Sequence, residues 1–85
     1  MMVPTIHLNG TSKESLMNEY QLVYNTLSNA ADALRLASPN GRDYYPQGPG
    51  AIRQADAEHQ ARIDKVRAVQ QEIYDLMEAI CDSNI

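Results

Sequence analysis

Residues 38–50, which read SPNGRDYYPQGPG, interrupt the helix-forming pattern of the chain and constrain its fold more than any other feature. This stretch holds three of the four prolines and three of the four glycines. Proline removes a backbone donor and clashes with the preceding helical turn, and glycine lowers helix stability, so a continuous helix is not expected here. Neither residue type occurs between residues 11 and 38 or after Gly50. The chain is therefore expected to form two long helices, one on each side of the interruption.

The segment before the interruption has the features of one helix over residues 12–38. Thr11 as N-cap and Glu14 three residues later fit a capping box, which satisfies free backbone N–H groups. Pro39 disfavours the helical conformation in the residue before it, which predicts the end of the helix. Apolar side chains recur at spacings of three and four residues, as on one face of a helix. They are Leu16, Tyr20, Val23, Leu27, Ala30, Leu34 and Ala37.

The segment after the interruption predicts a second helix over residues 51–82. Two polar residues, His59 and Gln70, interrupt its apolar stripe. A structural role is favoured for His59, because a lone histidine without a second metal ligand nearby is weak evidence for a metal site. Gln70 is expected to set the register between the helices, as single polar residues do in helical seams. The apolar stripe consists of Ile52, Ala55, Ile63, Val66, Ile73, Met77 and Ile80.

Together these segments predict an all-α fold in a single domain covering residues 1–85. The expected architecture is a two-helix antiparallel hairpin with a short extended arm at residues 1–10 and a Gly/Pro/Tyr loop at 39–50. Two paired helices each bury only one side. We therefore expect homo-oligomerisation to complete the core, with the number of subunits left open. The apolar faces are widened beyond one seam by Tyr24, Ala31, Val69 and Leu76.

Composition argues against several classes of function. The net charge of −4 is opposite in sign to the Lys and Arg excess of a general nucleic-acid binder. The longest uncharged run, near residues 20–31, is too polar for a membrane-spanning helix. The first ten residues lack the basic and apolar regions of a signal peptide, so we expect a cytoplasmic protein. The single cysteine, Cys81, is expected to be a semi-buried thiol without a disulfide partner.

No catalytic constellation is present. The sequence contains no P-loop, no nucleophile elbow, no CxxC and no HExxH motif, and its two histidines lie far apart. We therefore expect a protein that is not an enzyme and that uses neither a cofactor nor a metal.

The residues around the loop instead offer recognition chemistry. In an antiparallel hairpin, three arginines collect beside the N-terminus of the second helix. They are Arg35, Arg42 and Arg53. The free N–H groups and the dipole of a helix N-terminus also favour anions. Guanidinium groups bind phosphate, tyrosine rings stack on bases, and glycine backbone lets a ligand approach closely. The candidate ligand-binding residues are Arg42 and Arg53 for phosphate, Tyr44 and Tyr45 for a base, Gln47 and Gly48 for polar contacts, and, at second rank, Arg35 and His59.

Two alternatives for these residues remain open. The arginines can pair on the surface with Asp32, Asp43 and Asp56, where such pairs contribute only about 0 to 1 kcal/mol. The two tyrosines can fold back and cap the apolar end of the hairpin.

The segments HLNGTS at residues 7–12 and PNGRDYYPQG at 39–48 resemble a family of small tailed-bacteriophage proteins. The resemblance covers nearly the whole chain, including the final long helix, and implies a phage-encoded protein. In architecture alone, the chain is similar to the phage anti-CBASS and anti-Thoeris sponges, small oligomers that bind the nucleotide signals of bacterial immunity. This similarity leads to the hypothesis that the protein sequesters a cyclic oligonucleotide or a cyclic ADP-ribose relative. The alternative hypothesis is a protein-interaction module that inhibits a host enzyme or assists phage assembly.

Overall fold

A computed structural model describes residues 1–83 and confirms the all-α prediction. Three helices follow one another along the chain, rather than the two expected from the sequence. They are α1 (Lys13–Leu36), α2 (Gly41–Tyr44) and α3 (Ala51–Cys81), and a single 3₁₀ turn, Tyr45–Gln47, joins α2 to α3. No strand occurs among residues 1–83.

Helix α1 begins one residue later than the predicted capping box requires. Its N-cap is Ser12, whose side-chain oxygen accepts a hydrogen bond from the backbone N–H of Ser15 at 3.1 Å. The prediction of Thr11 as N-cap is therefore wrong, because Glu14 then lies too close to the helix start to complete a box. At the other end, the Ser38 hydroxyl donates to the carbonyl of Arg35 at 2.7 Å and occupies one of the free carbonyls of the last turn.

Helices α1 and α3 lie side by side in opposite directions. At one end, the Lys13 ammonium donates to the carbonyl oxygens of Cys81 at 2.6 Å and Ser83 at 3.0 Å. Because a cation is favoured at the C-terminus of a helix, this contact closes the last turn of α3. We call this the open end of the pair, and the α2 end the tip.

The helix pair forms a rod rather than a globule. It measures 62 × 19 × 16 Å and has a radius of gyration of 18.8 Å. A compact domain of this length has a radius of gyration of about 12 Å. The rod shape leaves each helix with only one neighbour along most of its length.

The core is correspondingly thin. The buried apolar residues among 1–83 are Ile6, Ala31, Ile63 and Ile80. The periodicity had predicted that Val23 and Ala30 lie in the seam of α1. The seam instead runs through Tyr24 and Ala31. Val23 is 38% exposed, whereas Ala31 is fully buried.

Gln70 crosses the seam near the middle of the rod. Its amide nitrogen donates to the carbonyl of Tyr24 at 3.3 Å, and its amide oxygen accepts from the Arg67 guanidinium at 2.6 Å. The side chain is 6% exposed. A buried amide with a partner on each helix disfavours any shift of α3 along α1, in agreement with the predicted role in setting the register.

The N-terminal arm has no regular secondary structure through residue 7 and ends in a turn at residues 8–10. That turn is closed by a hydrogen bond from the Gly10 N–H to the His7 carbonyl at 3.1 Å. Cys81, on the last turn of α3, is exposed and not semi-buried as predicted. None of the helices within residues 1–83 has the length and apolar character needed to cross a membrane.

Candidate functional site

The tip is more regular than the predicted loop at residues 39–50. Asn40 caps α2 by accepting a hydrogen bond from the backbone N–H of Arg42 at 2.9 Å. The 3₁₀ turn follows directly, with Pro46 near its start, where a missing N–H group costs nothing. Proline and glycine here terminate short helical turns instead of preventing them, which the sequence pattern did not reveal.

Gly48 ends the 3₁₀ turn with φ 114° and ψ 168°. Residues with a Cβ rarely adopt this conformation. A Cβ at this position would have no heavy atom within 4 Å, so the backbone angle alone accounts for the glycine. The reversal lets the chain enter α3 three residues later, at Ala51.

A cleft of about 290 Å³ lies between these short turns and the first half of α3. Residues three, four or seven apart share one face of a helix, which explains why α3 contributes a continuous wall. The lining residues are Tyr44 and Gln47 from the tip, and Ala51, Gln54, Ala55, Glu58 and Arg62 from α3.

Two of the predicted ligand-binding residues, Tyr44 and Gln47, therefore line one cavity. Three further polar residues of that cavity, Gln54, Glu58 and Arg62, were missed. Their spacing of four residues along a predicted helix was the available signal, but nothing in the sequence indicated that this row faces the tip.

The other predicted tip residues lie outside the cleft. Tyr45 is 77% exposed, so most of its side chain faces solvent. Arg35 pairs with Asp32 at 2.9 Å on the exposed side of α1, as in the surface-pairing alternative. The Arg42 guanidinium approaches the amide oxygen of Asn40 at 3.3 Å. Arg53 is exposed and does not line the cleft.

Within residues 1–83 the pairing of Asp32 with Arg35 is the sole ion pair closer than 4.0 Å, so neither Asp43 nor Asp56 neutralises a tip arginine. The cleft itself carries one cation and one anion, Arg62 and Glu58. The Glu58 carboxylate accepts a hydrogen bond from the Gln54 amide at 3.0 Å. The two charges lie one helical turn apart on α3, so the cleft is polar and nearly neutral.

His59 lies behind the cleft wall rather than in it. The side chain is 8% exposed, and its Nε2 atom forms a hydrogen bond with the Leu34 carbonyl on α1. Its Nδ1 atom lies 3.4 Å from the Arg62 guanidinium. Because a carbonyl only accepts and a guanidinium only donates, a proton on Nε2 and a lone pair on Nδ1 satisfy both contacts. Both ring nitrogens are engaged, so His59 acts by positioning Arg62.

A second cavity, a groove of about 330 Å³, lies near the open end. Tyr74 lines this groove and Leu76 does not. The two residues are two positions apart, which is about 200° around the helix, so the groove and Leu76 lie on opposite faces of the helix pair. The rings of Tyr24 and Tyr74 form part of its floor, with centroids 6.3 Å apart. The groove is lined by Met17, Gln21, Tyr24, Tyr74, Met77, Glu78, Cys81 and Asp82.

Over residues 1–83 there is no cluster of three His, Cys, Asp or Glu side chains that could hold a metal ion. Comparisons of the chain with protein-family models, with curated proteins and with solved structures returned no match. The case for a function therefore depends on the geometry of the tip.

Proposed function

We propose that the protein is a phage-encoded binding protein that holds a host immune signalling nucleotide at its tip without turning it over. It would act in the cytoplasm of an infected bacterium, as an assembly of helical hairpins. The observation that supports this most directly is the cleft in which the Tyr44 ring, the Gln47 amide and the Arg62 guanidinium meet. These are the three chemical groups that a base, its polar edge and a phosphate require.

The cleft chemistry gives each lining group a separate task. The Tyr44 ring offers a face for stacking, which contributes about 1–3 kcal/mol per base. Arg62 takes the phosphate, in place of the predicted Arg42 and Arg53, because a guanidinium can bind phosphate through two parallel N–H groups. The Glu58 carboxylate repels phosphate but accepts hydrogen bonds from an exocyclic amino group. The ligand would thus lie with its phosphate toward Arg62 and its base between Tyr44 and Glu58.

Cavity size sets a limit on what one copy can hold. A volume of about 290 Å³ is at the low end of ligand pockets, which span roughly 300–1,000 Å³. One copy can therefore accommodate about one nucleotide unit. A cyclic oligonucleotide would need a second wall, which self-association would supply.

Isothermal titration calorimetry against a panel of cyclic oligonucleotides and cyclic ADP-ribose relatives tests this proposal. Tyr44→Ala and Arg62→Ala are each expected to weaken binding about 5- to 150-fold, as expected for a loss of about 1–3 kcal/mol. Arg35→Ala and Arg53→Ala are the matched controls, because both side chains lie outside the cleft, and they should bind like the wild type. Absence of any binding at micromolar concentrations, or full affinity in both cleft variants, would refute the proposal.

The exposed apolar residues of the rod favour a second candidate function, a protein-interaction module. Val69 and Tyr74 are 46% and 49% exposed on α3. Such a module would inhibit a host enzyme or assist phage assembly. Pull-down from host lysate with a mass-spectrometric readout separates the candidates. A nucleotide-binding protein retains a small molecule that Arg62→Ala loses, whereas an interaction module retains a protein that Arg62→Ala keeps.

A further inference from the structure

One face of the rod carries a row of apolar side chains that stay partly exposed to solvent in a single copy. On α3, Val69 and Leu76 are seven residues apart, in the same row as Arg62 of the cleft. On α1, Leu16, Val23 and Ala30 form the matching row beside the seam. We call the α3 residues Val66, Val69 and Leu76 and the α1 residues Leu16, Val23 and Ala30 the apolar flank. All six are exposed or half-buried.

The centre of the apolar flank lies somewhat nearer the open end than the middle of α3. Val23 and Val69 each precede a residue of the Tyr24–Gln70 hydrogen bond, and Gln70 lies 19 residues after the start of α3 and 11 residues before its end. They are 38% and 46% exposed, so the centre is the most open part of the flank on both helices. A copy placed over this point could overlap the rod along most of its length in either direction.

Charge selects one direction. Residues 25–69, which form the tip half, carry six basic and five acidic residues. The remaining residues carry one basic and six acidic residues. Parallel stacking places the two acidic halves against each other, whereas antiparallel stacking places each acidic half against a tip half of opposite net charge.

We propose that a second copy of this chain packs antiparallel on the apolar flank, with a two-fold axis across the rods at Val69. The proposal builds on the self-association in the proposed function and adds its direction and register. The apolar flank is about 21 Å long from Leu16 to Ala30 and at most 19 Å wide, which corresponds to on the order of 400 Å² from each copy. The total of about 800 Å² lies below the range for stable interfaces and is that of a weak dimer.

The axis at Val69 brings two charged residues together across the interface. Lys65 and Glu72 lie four residues before and three residues after Val69, so both border its face of α3. Both are exposed. In antiparallel α3 helices crossing at Val69, Lys65 of one copy lies within one residue of the level of Glu72 of the other, and symmetry repeats the pair. In a parallel dimer these two residues do not meet.

The same register acts on the tip cleft. Leu76 of the second copy, seven residues after the axis, lies at the level of Arg62, seven residues before it. The end of α3 from one copy therefore covers the part of the other copy's cleft that Glu58 and Arg62 line, and supplies the wall that a larger ligand needs. Each assembly of two copies then contains two equivalent roofed clefts.

Charge exchange tests the direction directly. Lys65→Glu and Glu72→Lys should each raise the dimer dissociation constant at least tenfold in sedimentation velocity, with unchanged helicity by circular dichroism. The double variant Lys65→Glu/Glu72→Lys restores opposite charges at the same sites and should recover near wild-type dimerisation. A double variant as weak as either single one, or a wild-type protein that is monomeric at 100 times the concentration used for binding, would overturn the proposal.

Cross-linking provides a second test that needs no charge. In a Cys81→Ser background, Val69→Cys should form a disulfide-linked dimer under mild oxidation, because a residue on a two-fold axis meets its own copy. Leu22→Cys, which is 67% exposed on the outer side of α1, should remain monomeric and serves as control. Failure of Val69→Cys to cross-link more than Leu22→Cys contradicts the antiparallel register. Calorimetry on the same proteins separates this failure from a loss of nucleotide binding.

Discussion

Gly48→Ala is expected to destabilise the protein through backbone conformation alone. The φ of 114° and ψ of 168° at this position lie in a region that is essentially confined to glycine. Forcing another residue into it costs on the order of 1–3 kcal/mol. Since a Cβ at residue 48 has no heavy atom within 4 Å, no steric clash adds to this cost. For a domain of this size, the loss lowers the Tm by roughly 5–20 °C.

Gly41→Ala is the matched control for this experiment. Position 41 also offers open space to a Cβ, but Gly48 alone among the glycines of residues 1–83 has a positive φ. Gly41 is the first residue of α2, so alanine should leave the free energy of unfolding unchanged or raise it by about 0.5 kcal/mol through reduced freedom of the unfolded chain.

The assay is thermal and urea unfolding followed by circular dichroism at 222 nm. It should be repeated at several protein concentrations, because self-association adds to the apparent stability. The expected outcome is a difference of about 1–3.5 kcal/mol between the two variants, with Gly48→Ala the less stable. Equal effects of the two substitutions would refute the argument that the backbone at residue 48 requires glycine.

Three further predictions concern the helix pair. Ile80→Ala, at a fully buried site, should lower the free energy of unfolding in urea by about 2–5 kcal/mol. Leu22→Ala, at a 67% exposed site, should lower it by less than about 0.5 kcal/mol. Equal losses would show that the two sites are equally buried in solution. Ser12→Ala should lower the free energy of unfolding by about 1 kcal/mol, and Thr11→Ala should leave it unchanged. A larger loss for Thr11→Ala than for Ser12→Ala would show that Thr11 is the N-cap, as the sequence predicted. Gln70→Ala should cost about 1–3 kcal/mol because it removes both hydrogen bonds of a buried amide, so an unchanged urea midpoint would rule out its role in the seam.

Much of the fold follows from residue spacing and from the positions of proline and glycine. The long helices end within two residues of their predicted limits. Periodicity did less well in choosing which apolar row of α1 faces α3. The Val23 row and the Tyr24 row are adjacent, about 100° apart, and both are apolar, so a spacing of three and four residues fits either. The fully buried Ala31 shows which row was chosen, because its small side chain lets the helices approach closely.

The candidate site was harder to predict, because nearness in sequence does not determine direction in space. Arg53 and Gln54 are neighbours on the first turns of α3, yet only Gln54 lines the cleft. Arg62 lies more than two turns beyond the tip and reaches the cleft because it is seven residues from Ala55. Its orientation also depends on His59, whose partner is a backbone carbonyl of α1 that no motif encodes.

The contact between Lys13 and the carbonyl of Ser83 has a practical consequence for handling the protein. It places the start of α1 and the end of α3 at the same end of a rod 62 Å long. A surface or a fluorophore attached near Ser83 therefore lies far from the cleft of its own copy. In the antiparallel dimer the same attachment lies near the cleft of the other copy, so a bulky label at this position should slow nucleotide entry only when two copies are paired.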